Sequence, residues 1–292
     1  MMSIQALTFT HQQPLRYFRQ QYAQLLLWCT GLAAAMLMCA SSFAANPQSW
    51  WTDIANNRAD SVKQALARGA DPNELSPNGQ PAIMQAIRDG AWDVYDVLAA
   101  HPKTVRNAIN INKETPLMYL AVTGQTKRAQ DLINRGALVN RLGWTPLQYA
   151  ASKGHLDTVK MLVANKAIVN SPGPDGTTAL MMAAYGGSED VVRYLLSVGA
   201  DVTMKTTQQY DAAYWARLKN HTSLADKLDE LSARVLAKQQ GSTASEATVD
   251  LTASQAAPAA ETQAESVPDS QPDNESTSRY FDLDRFNEEP SP

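Results

Sequence analysis

Apolar residues recur at helical intervals between Thr145 and Asn170, and that stretch sets the pattern for much of the chain. Leu147, Ala150 and Ala151 mark one stripe, and Val159, Leu162 and Val163 mark a second. Two short amphipathic helices are predicted. Gly154 lies between them, where a left-handed backbone conformation ends the first helix at little cost. Thr145 suits its N-cap and Pro146 its first turn. The same order of features runs through residues 114–140 and 177–203. Thr115 to Thr145 is 30 residues and Thr145 to Thr178 is 33, and Gly124, Gly154 and Gly187 keep the same two intervals. Ala150, Ala151, Ala183 and Ala184 are small where neighbouring helices must approach closely. One helix pair cannot bury its own apolar face, so the units depend on one another.

A period near 33 residues built on a T-P-L-H-x-A pattern is the ankyrin signature. Thr115-Pro116-Leu117 and Thr145-Pro146-Leu147 carry it most clearly, and over about residues 48–236 the chain resembles the ankyrin-repeat family. The resemblance implies an all-α solenoid: a stack of about six helix-turn-helix units with short β-hairpin fingers. The units are expected at about 48–76, 77–110, 111–140, 141–170, 171–203 and 204–236. The first lacks the T-P-L pattern and opens on Trp50 and Trp51, which read as lids over the core. In the last, Asp211 replaces the capping threonine, Asn220-His221 replaces the glycine joint, and the outer helix is more charged. Such departures suit terminal repeats, which lack a neighbour on one side.

Two irregularities stand out. Gly90 to Asn110 is 20 residues, against 16 from Gly124 to Asn140, so four extra residues are expected around His101-Pro102-Lys103-Thr104. Pro102 should stop the outer helix there. Asn110 to Thr115 and Asn140 to Thr145 are five residues each, whereas Asn170 to Thr178 is eight. This reads as two shortened fingers followed by a full one, with a recess beside a projecting edge.

In ankyrin proteins, partners commonly contact the finger tips and the exposed side of the inner helices. The resemblance places finger contacts at Gln80, Glu114, Arg141, Leu142, Trp144, Asp175 and Thr177. It places inner-helix contacts at Arg88, Asp89, Val122, Thr123, Ser152, Lys153 and Tyr185. The expected binding set is Arg88, Asp89, Arg141, Leu142, Trp144, Lys153, Asp175 and Tyr185. Arg141, Trp144 and Tyr185 are expected to cluster, and their residue types dominate binding hot spots. Simple packing of Trp144 over its finger is the competing use of that side chain.

Charge divides the chain. Of the 292 residues, with formal net charge −4, the stretch 241–292 holds eleven Asp or Glu and two Arg, a net of −9, leaving +5 on residues 1–240. No basic run or aromatic-basic interleaving appears, so nucleic acid is not an expected partner. Residues 237–292 read as a disordered acidic tail of Ala, Ser, Thr, Gln, Glu and Pro. Near its end, residues 279–286 contain three aromatics and a leucine. These read either as a frayed terminus or as a short motif that folds onto a partner or its own groove.

Residues 1–45 have no acidic residue, and Arg16 and Arg19 precede an apolar run from Leu25 to Phe43. Ser42-Phe43-Ala44 fits the small-x-small rule for signal cleavage. Nineteen apolar-leaning residues are also just long enough for an uncleaved anchor. The positive flank exports the repeats in either case. Cys29 and Cys39, the only cysteines, both lie in this run, and Met38 before Cys39 argues against lipidation. Cleavage would leave no cysteine and hence no disulfide framework, which suits an oxidising compartment. A bacterial periplasm is the expected address.

Catalysis would need a nucleophile, base or metal held in a pocket. No His-x-x-x-His pair, Cys cluster, phosphate loop or nucleophile elbow is present. His155 and His221 occupy the joint between helices and read as structural. The expectation is a monomeric, non-enzymatic protein without metal or cofactor that binds a protein partner. Exported bacterial ankyrin proteins, which the chain resembles, are generally regarded as interaction proteins, some assisting periplasmic enzymes under oxidative stress. An immunity protein that blocks a toxic enzyme, or a membrane-tethered scaffold, are the alternative roles.

Overall fold

The computed structural model describes residues 46–246, with side chains through residue 240. The expected signal or anchor at 1–45, and the 279–286 motif, lie outside the described residues. Among the described residues, twelve helices form six pairs: α1 (Trp50–Ala55) with α2 (Ala59–Ala67), α3 (Ala82–Arg88) with α4 (Trp92–Ala100), and α5 (Pro116–Val122) with α6 (Thr126–Asn134). Then follow α7 (Pro146–Ser152) with α8 (Leu156–Ala164), α9 (Ala179–Tyr185) with α10 (Glu189–Ser197), and α11 (Ala212–Leu218) with α12 (Thr222–Glu246). The first helix of each pair stacks on the next such helix to make an inner layer, and the second helices form an outer layer.

Local chemistry defines each inner helix. Thr115, Thr145 and Thr178 accept hydrogen bonds from the backbone N–H groups of Met118, Gln148 and Met181 at 3.4, 3.5 and 3.3 Å. Gln148 returns the bond through its side-chain oxygen, 2.7 Å from the Thr145 N–H, completing a reciprocal cap. Asp211 caps α11 alone, accepting from Tyr214 N–H at 2.9 Å. At the other end, Gly154 has φ +72, and the next N–H, on His155, returns to the Ala150 carbonyl at 3.1 Å. The end pairs use Asn57 and Asn220 for the same left-handed turn, with φ 53 and 62; asparagine tolerates that region better than most residues.

The inner layer is close-packed because Ala121, Ala150, Ala151, Ala183 and Ala184 are all wholly buried. Of the two tryptophans expected as lids, Trp50 is 1 % exposed and part of the core itself, and Trp51 packs partly buried against it. The histidines of the joints are structural: the His155 ring sits 3.0 Å from the Val122 carbonyl of the preceding pair.

A ladder of asparagines sets the register between units. Asn73, Asn107, Asn140 and Asn170 each donate to a carbonyl one unit further on (Lys103, Gly136, Lys166 and Gly199) at 2.8–3.1 Å. Each also accepts from the N–H two residues beyond that carbonyl, at Val105, Leu138, Ile168 and Asp201. Asn107, not Asn110, is therefore the counterpart of Asn140. The excess before it is one residue rather than four, since Gly90 to Asn107 is 17 residues against 16 from Gly124 to Asn140. Asn107 to Thr115 is then eight residues, the same as Asn170 to Thr178, and only Asn140 to Thr145 remains at five. The expected pair of shortened fingers is corrected to a single one.

Four full fingers share one closure. Ser76, Asn110, Gly173 and Thr206 donate backbone N–H groups to Gln80, Glu114, Thr177 and Tyr210 carbonyls at 2.9, 3.1, 2.8 and 2.9 Å. These are tight turns rather than hairpins; the only β-bridge among the described residues joins Leu75 to Pro81. Residues 141–144 are three residues too short for this closure. The boundary at 236 also shifts. Helix α12 continues to Glu246, ten residues into the stretch expected to be disordered.

Candidate functional site

The shortened finger opens a notch between the full fingers 110–114 and 173–177, and its own residues brace both sides. Arg141 turns toward the first, donating from its guanidinium to the Lys113 carbonyl and approaching Met118 Sδ at 3.8 Å. Trp144 leans on the second. A Cβ added at Gly173 would lie only 3.3 Å from Trp144 Cζ3, so glycine there lets the indole approach the finger's backbone. Gln148 holds the same finger from below, donating to the Thr177 carbonyl at 2.7 Å and the Ser171 carbonyl at 3.3 Å. Leu142 is left at the tip, 96 % exposed. Ile111 on the neighbouring finger is 79 % exposed.

Beneath the notch lies a buried polar cluster spanning three units. Glu114 is 2 % exposed. One carboxylate oxygen accepts from the Tyr149 hydroxyl at 2.6 Å. The other accepts from the Asn110 amide at 2.8 Å and, at 3.4 Å, from the Tyr119 hydroxyl. Asn110 also donates to Gln80 at 3.2 Å and accepts from the Glu114 backbone N–H at 2.9 Å. A carboxylate out of water is tolerated only with such partners, and here they fasten the finger 110–114 to α5 and α7.

The expected contact residues divide accordingly. Gln80, Glu114 and Thr177 are buried in finger bases and are corrected from contact positions to scaffold; Val122 and Ser152, expected exposed on inner helices, are also buried. Ser152 donates to the Tyr149 carbonyl at 2.7 Å, and Thr123, half-buried, donates to the Tyr119 carbonyl at 2.7 Å. Arg141, Leu142 and Trp144 are brought together at the notch. Asp175 lies on its far wall, but its carboxylate is engaged within the turn, accepting from Thr177 N–H at 3.0 Å and its hydroxyl at 2.8 Å. The Asp89 carboxylate is likewise held by Gln85 at 2.7 Å. Arg88 is exposed and Lys153 half-buried, both where the inner helices end.

Tyr185 does not join Arg141 and Trp144. It closes α9, at the opposite end of the inner helix from the fingers and about 10 Å along a seven-residue helix. There its ring meets Trp215 edge-on, centroids 5.8 Å apart, with Lys219 Nζ 4.9 Å above it. Tyr214 stacks on Tyr210 at 3.9 Å and meets Trp215 edge-on. Burial, then the Tyr210 hydroxyl, raises the Tyr214 phenol above its usual range. This aromatic group went unremarked in the sequence. Its signal was Trp215, which stands at the register position held by Tyr119 and Tyr149.

Among the described residues no three His, Cys, Asp or Glu side chains converge as a metal site requires, and no helix is long and apolar enough to cross a membrane. A row of short stacked helix pairs with turns projecting from one edge defines a repeat solenoid offering an extended binding face. The family model for ankyrin repeats (three copies) matches residues 52–142 and 129–206, and the chain belongs to the ankyrin-repeat family. Ankyrin repeats are protein–protein interaction modules and in general not catalytic.

Similar proteins include the mouse "Ankyrin repeat and SAM domain-containing protein 6", 36 % identical over 115 residues, which are 37 % of this chain and 13 % of that protein. The Arabidopsis thaliana "E3 ubiquitin-protein ligase XBAT33" is 32 % identical over 145 residues, 48 % of this chain and 27 % of that one. A "Putative ankyrin repeat-containing protein" of Treponema pallidum (strain Nichols) is 28 % identical over 169 residues, 56 % of this chain and 55 % of that one. The chain thus spans a minor part of the first two and about half of the third.

Proposed function

We propose that this is an exported, non-catalytic binding protein of a bacterial periplasm that grips one protein partner across the notch. The observation that carries the reading is the single shortened finger, which places Arg141 and Trp144 as braces and leaves Leu142 96 % exposed between two full fingers. Leu142 does not stand alone, since Ile111 on the next finger is 79 % exposed, and apolar side chains gathered on one face beside an Arg and a Trp suit a protein-binding surface. The partner face continues along the inner-helix ends through Arg88, Asp89, Lys153 and Tyr185. Asp175 shapes the far wall, its carboxylate held in place by Thr177 of its own turn. Export rests on the basic flank and apolar run before residue 45.

Two experiments test this reading. Intact mass with cell fractionation of the native host should find a chain starting at or next to Ala45 in the periplasm. A full-length chain in the inner membrane would replace the free protein with a tethered one. Capture from the periplasmic fraction should then recover a partner on the wild-type protein and at least tenfold less on Leu142→Asp. Equal recovery on a Leu142→Asp protein of unchanged circular dichroism would overturn the notch as the binding site.

A further inference from the structure

We propose that the stack carries a second docking surface, an apolar ridge of Val105, Leu138 and Ile168 that receives an acidic amphipathic helix of another protein. The ridge lies where the chain leaves the outer helices for the fingers, and it does not depend on the notch.

Hydrogen bonds define the row. Asp71, Val105, Leu138, Ile168 and Asp201 each donate a backbone N–H to an asparagine side chain 25–37 positions earlier or fewer, namely Asn46, Asn73, Asn107, Asn140 and Asn170, at 2.6, 2.7, 2.8, 2.9 and 2.9 Å. The five positions are therefore equivalent, one per unit along one edge. The two at the ends are aspartates, whose carboxylates accept the N–H two residues on, from Asn73 at 2.9 Å and from Thr203 at 2.8 Å. The three between them are apolar and 51, 61 and 59 % exposed. Valine, leucine and isoleucine cannot accept that bond. The middle units thus forgo a local stabilisation and also set a large apolar side chain in water. One such residue is ordinary surface; three in consecutive units form a patch of the kind that marks an interaction site.

Charge points to the occupant. Residues 100–110, 131–141 and 164–172, which carry the ridge, contain Lys103, Arg106, Arg135, Arg141 and Lys166 and a single acid, Asp131. Five basic residues less one acid leave +4, and the acid pairs with Arg135 at 2.6 Å. A second copy of the chain is a poor match. Either two-fold pairing of the ridge sets Lys103 against Lys166 or against itself, and Asp71 against Asp201 or against itself. Like charge would meet like along the whole row, which disfavours association.

Spacing points to its form. Consecutive units stand about 10 Å apart at the usual helix spacing. A helix repeats one face every seven residues, about 10.5 Å. A strand covers the same distance in about three residues and presents alternate sides. Apolar residues at i, i+7 and i+14 of a helix lying along the edge would meet the three ridge side chains in turn, with acids beside them to meet Lys103 and Lys166.

The test titrates the full chain into a fluorescein-labelled synthetic helix of about 20 residues, with leucine at every seventh position and glutamate beside each. Anisotropy should show saturable, sub-millimolar binding, weakened at least tenfold by Val105→Asp/Leu138→Asp/Ile168→Asp. That variant extends the aspartates already present at both ends of the row, so its circular dichroism should be unchanged and its urea midpoint no lower. Lys103→Glu/Lys166→Glu, a purely surface change, should weaken binding several-fold, and so should 0.5 M salt. Equal binding to the wild type and the triple variant, or none up to about 1 mM, would overturn the proposal. Equal binding by the same peptide with two central prolines would overturn the helical occupant. A wild-type chain that sediments as a dimer while the triple variant is a monomer would overturn it too, since a second copy would then cover the ridge. Leu142→Asp should bind the peptide as the wild type does, so failure of the notch and failure of the ridge are separate results.

Discussion

Replacing Tyr149 by Phe deletes one oxygen from the buried cluster under the notch, and the structure sets what that should cost. The Tyr149 side chain is almost wholly buried, and its hydroxyl donates to Glu114 at 2.6 Å. A hydrogen bond to a charged group contributes about 1.5–3 kcal/mol, and the carboxylate left behind is too deep to recruit water freely. A loss of about 2 kcal/mol is expected, or a fall in Tm of about 4–8 °C for a domain of this size. Tyr119→Phe is the internal control. Its hydroxyl accepts from the neutral Asn110 amide at 3.1 Å and lies 3.4 Å from the other oxygen of the same carboxylate; with one ordinary neutral bond and one at the edge of useful geometry, it should cost about 1 kcal/mol.

Urea unfolding of both variants, read by tryptophan fluorescence and by circular dichroism, makes the comparison. The two probes matter because repeat arrays can lose all-or-none behaviour. A double-mutant cycle with Glu114→Gln should return a coupling of at least about 1 kcal/mol between Tyr149 and Glu114. If Tyr149→Phe cost no more than Tyr119→Phe, the claim that this short bond fastens the finger 110–114 to α7 would be refuted.

Two further outcomes follow from the same geometry. Gly124→Ala should destabilise the chain by about 2–3 kcal/mol, combining the cost of a left-handed non-glycine residue with a clash; φ at Gly124 is +68 and an added Cβ would sit 2.8 Å from the His155 ring. Gly90→Ala, at the matching φ of +65 with its nearest neighbour, Trp92 Nε1, at an ordinary 3.9 Å, isolates the backbone part, and a denaturant midpoint no lower for Gly124→Ala than for this control would count against the histidine's packing role. Inserting Gly-Ser-Gly after Leu142 lengthens the short finger to the span of its neighbours; loop-closure entropy for that change is only about 0.5 kcal/mol. Stability should therefore stay within about 1 kcal/mol while partner capture falls at least tenfold, and undiminished capture would show that the shortening has no part in binding.

Most of the solenoid was legible in the sequence because its signals are local and repeated: capping threonines, glycine joints and apolar stripes, each tied to a single turn of chain. The register of the second unit was not. Residues 104–110 contain two candidate asparagines, and Ala108-Ile109-Asn110 looks more like the exit of the other units than Thr104-Val105-Arg106-Asn107 does. What selects Asn107 is its pair of bonds to Gly136 and Leu138 one unit away, a relation between segments that composition does not encode. Glu114 was misread for the same reason. A carboxylate on a turn looks solvated until Tyr149, 35 positions later, is placed against it. At the C-terminal end, Ala, Lys and Gln at 237–240 favour helix. The helix they continue runs past Gly241 although the composition changes there.

The site's individuality falls where the fold leaves freedom. Inner helices cannot drift from the period, because each packs on the next through wholly buried alanines and the asparagine ladder fixes the vertical register. Fingers project beyond that packing, so one can lose three residues without disturbing the stack. The loss still had to be made good locally. Without its closing backbone bond, the 141–144 turn is braced by Arg141 on the Lys113 carbonyl and Trp144 against Gly173. Gln148 completes the repair from α7, with an amide that both caps the helix and holds the next finger. These side chains fill the sides of the notch and leave its tip to Leu142. A random deletion would have no reason to be braced on both flanks while its most apolar residue stands in solvent, and that combination is the physical case for a binding surface at this turn.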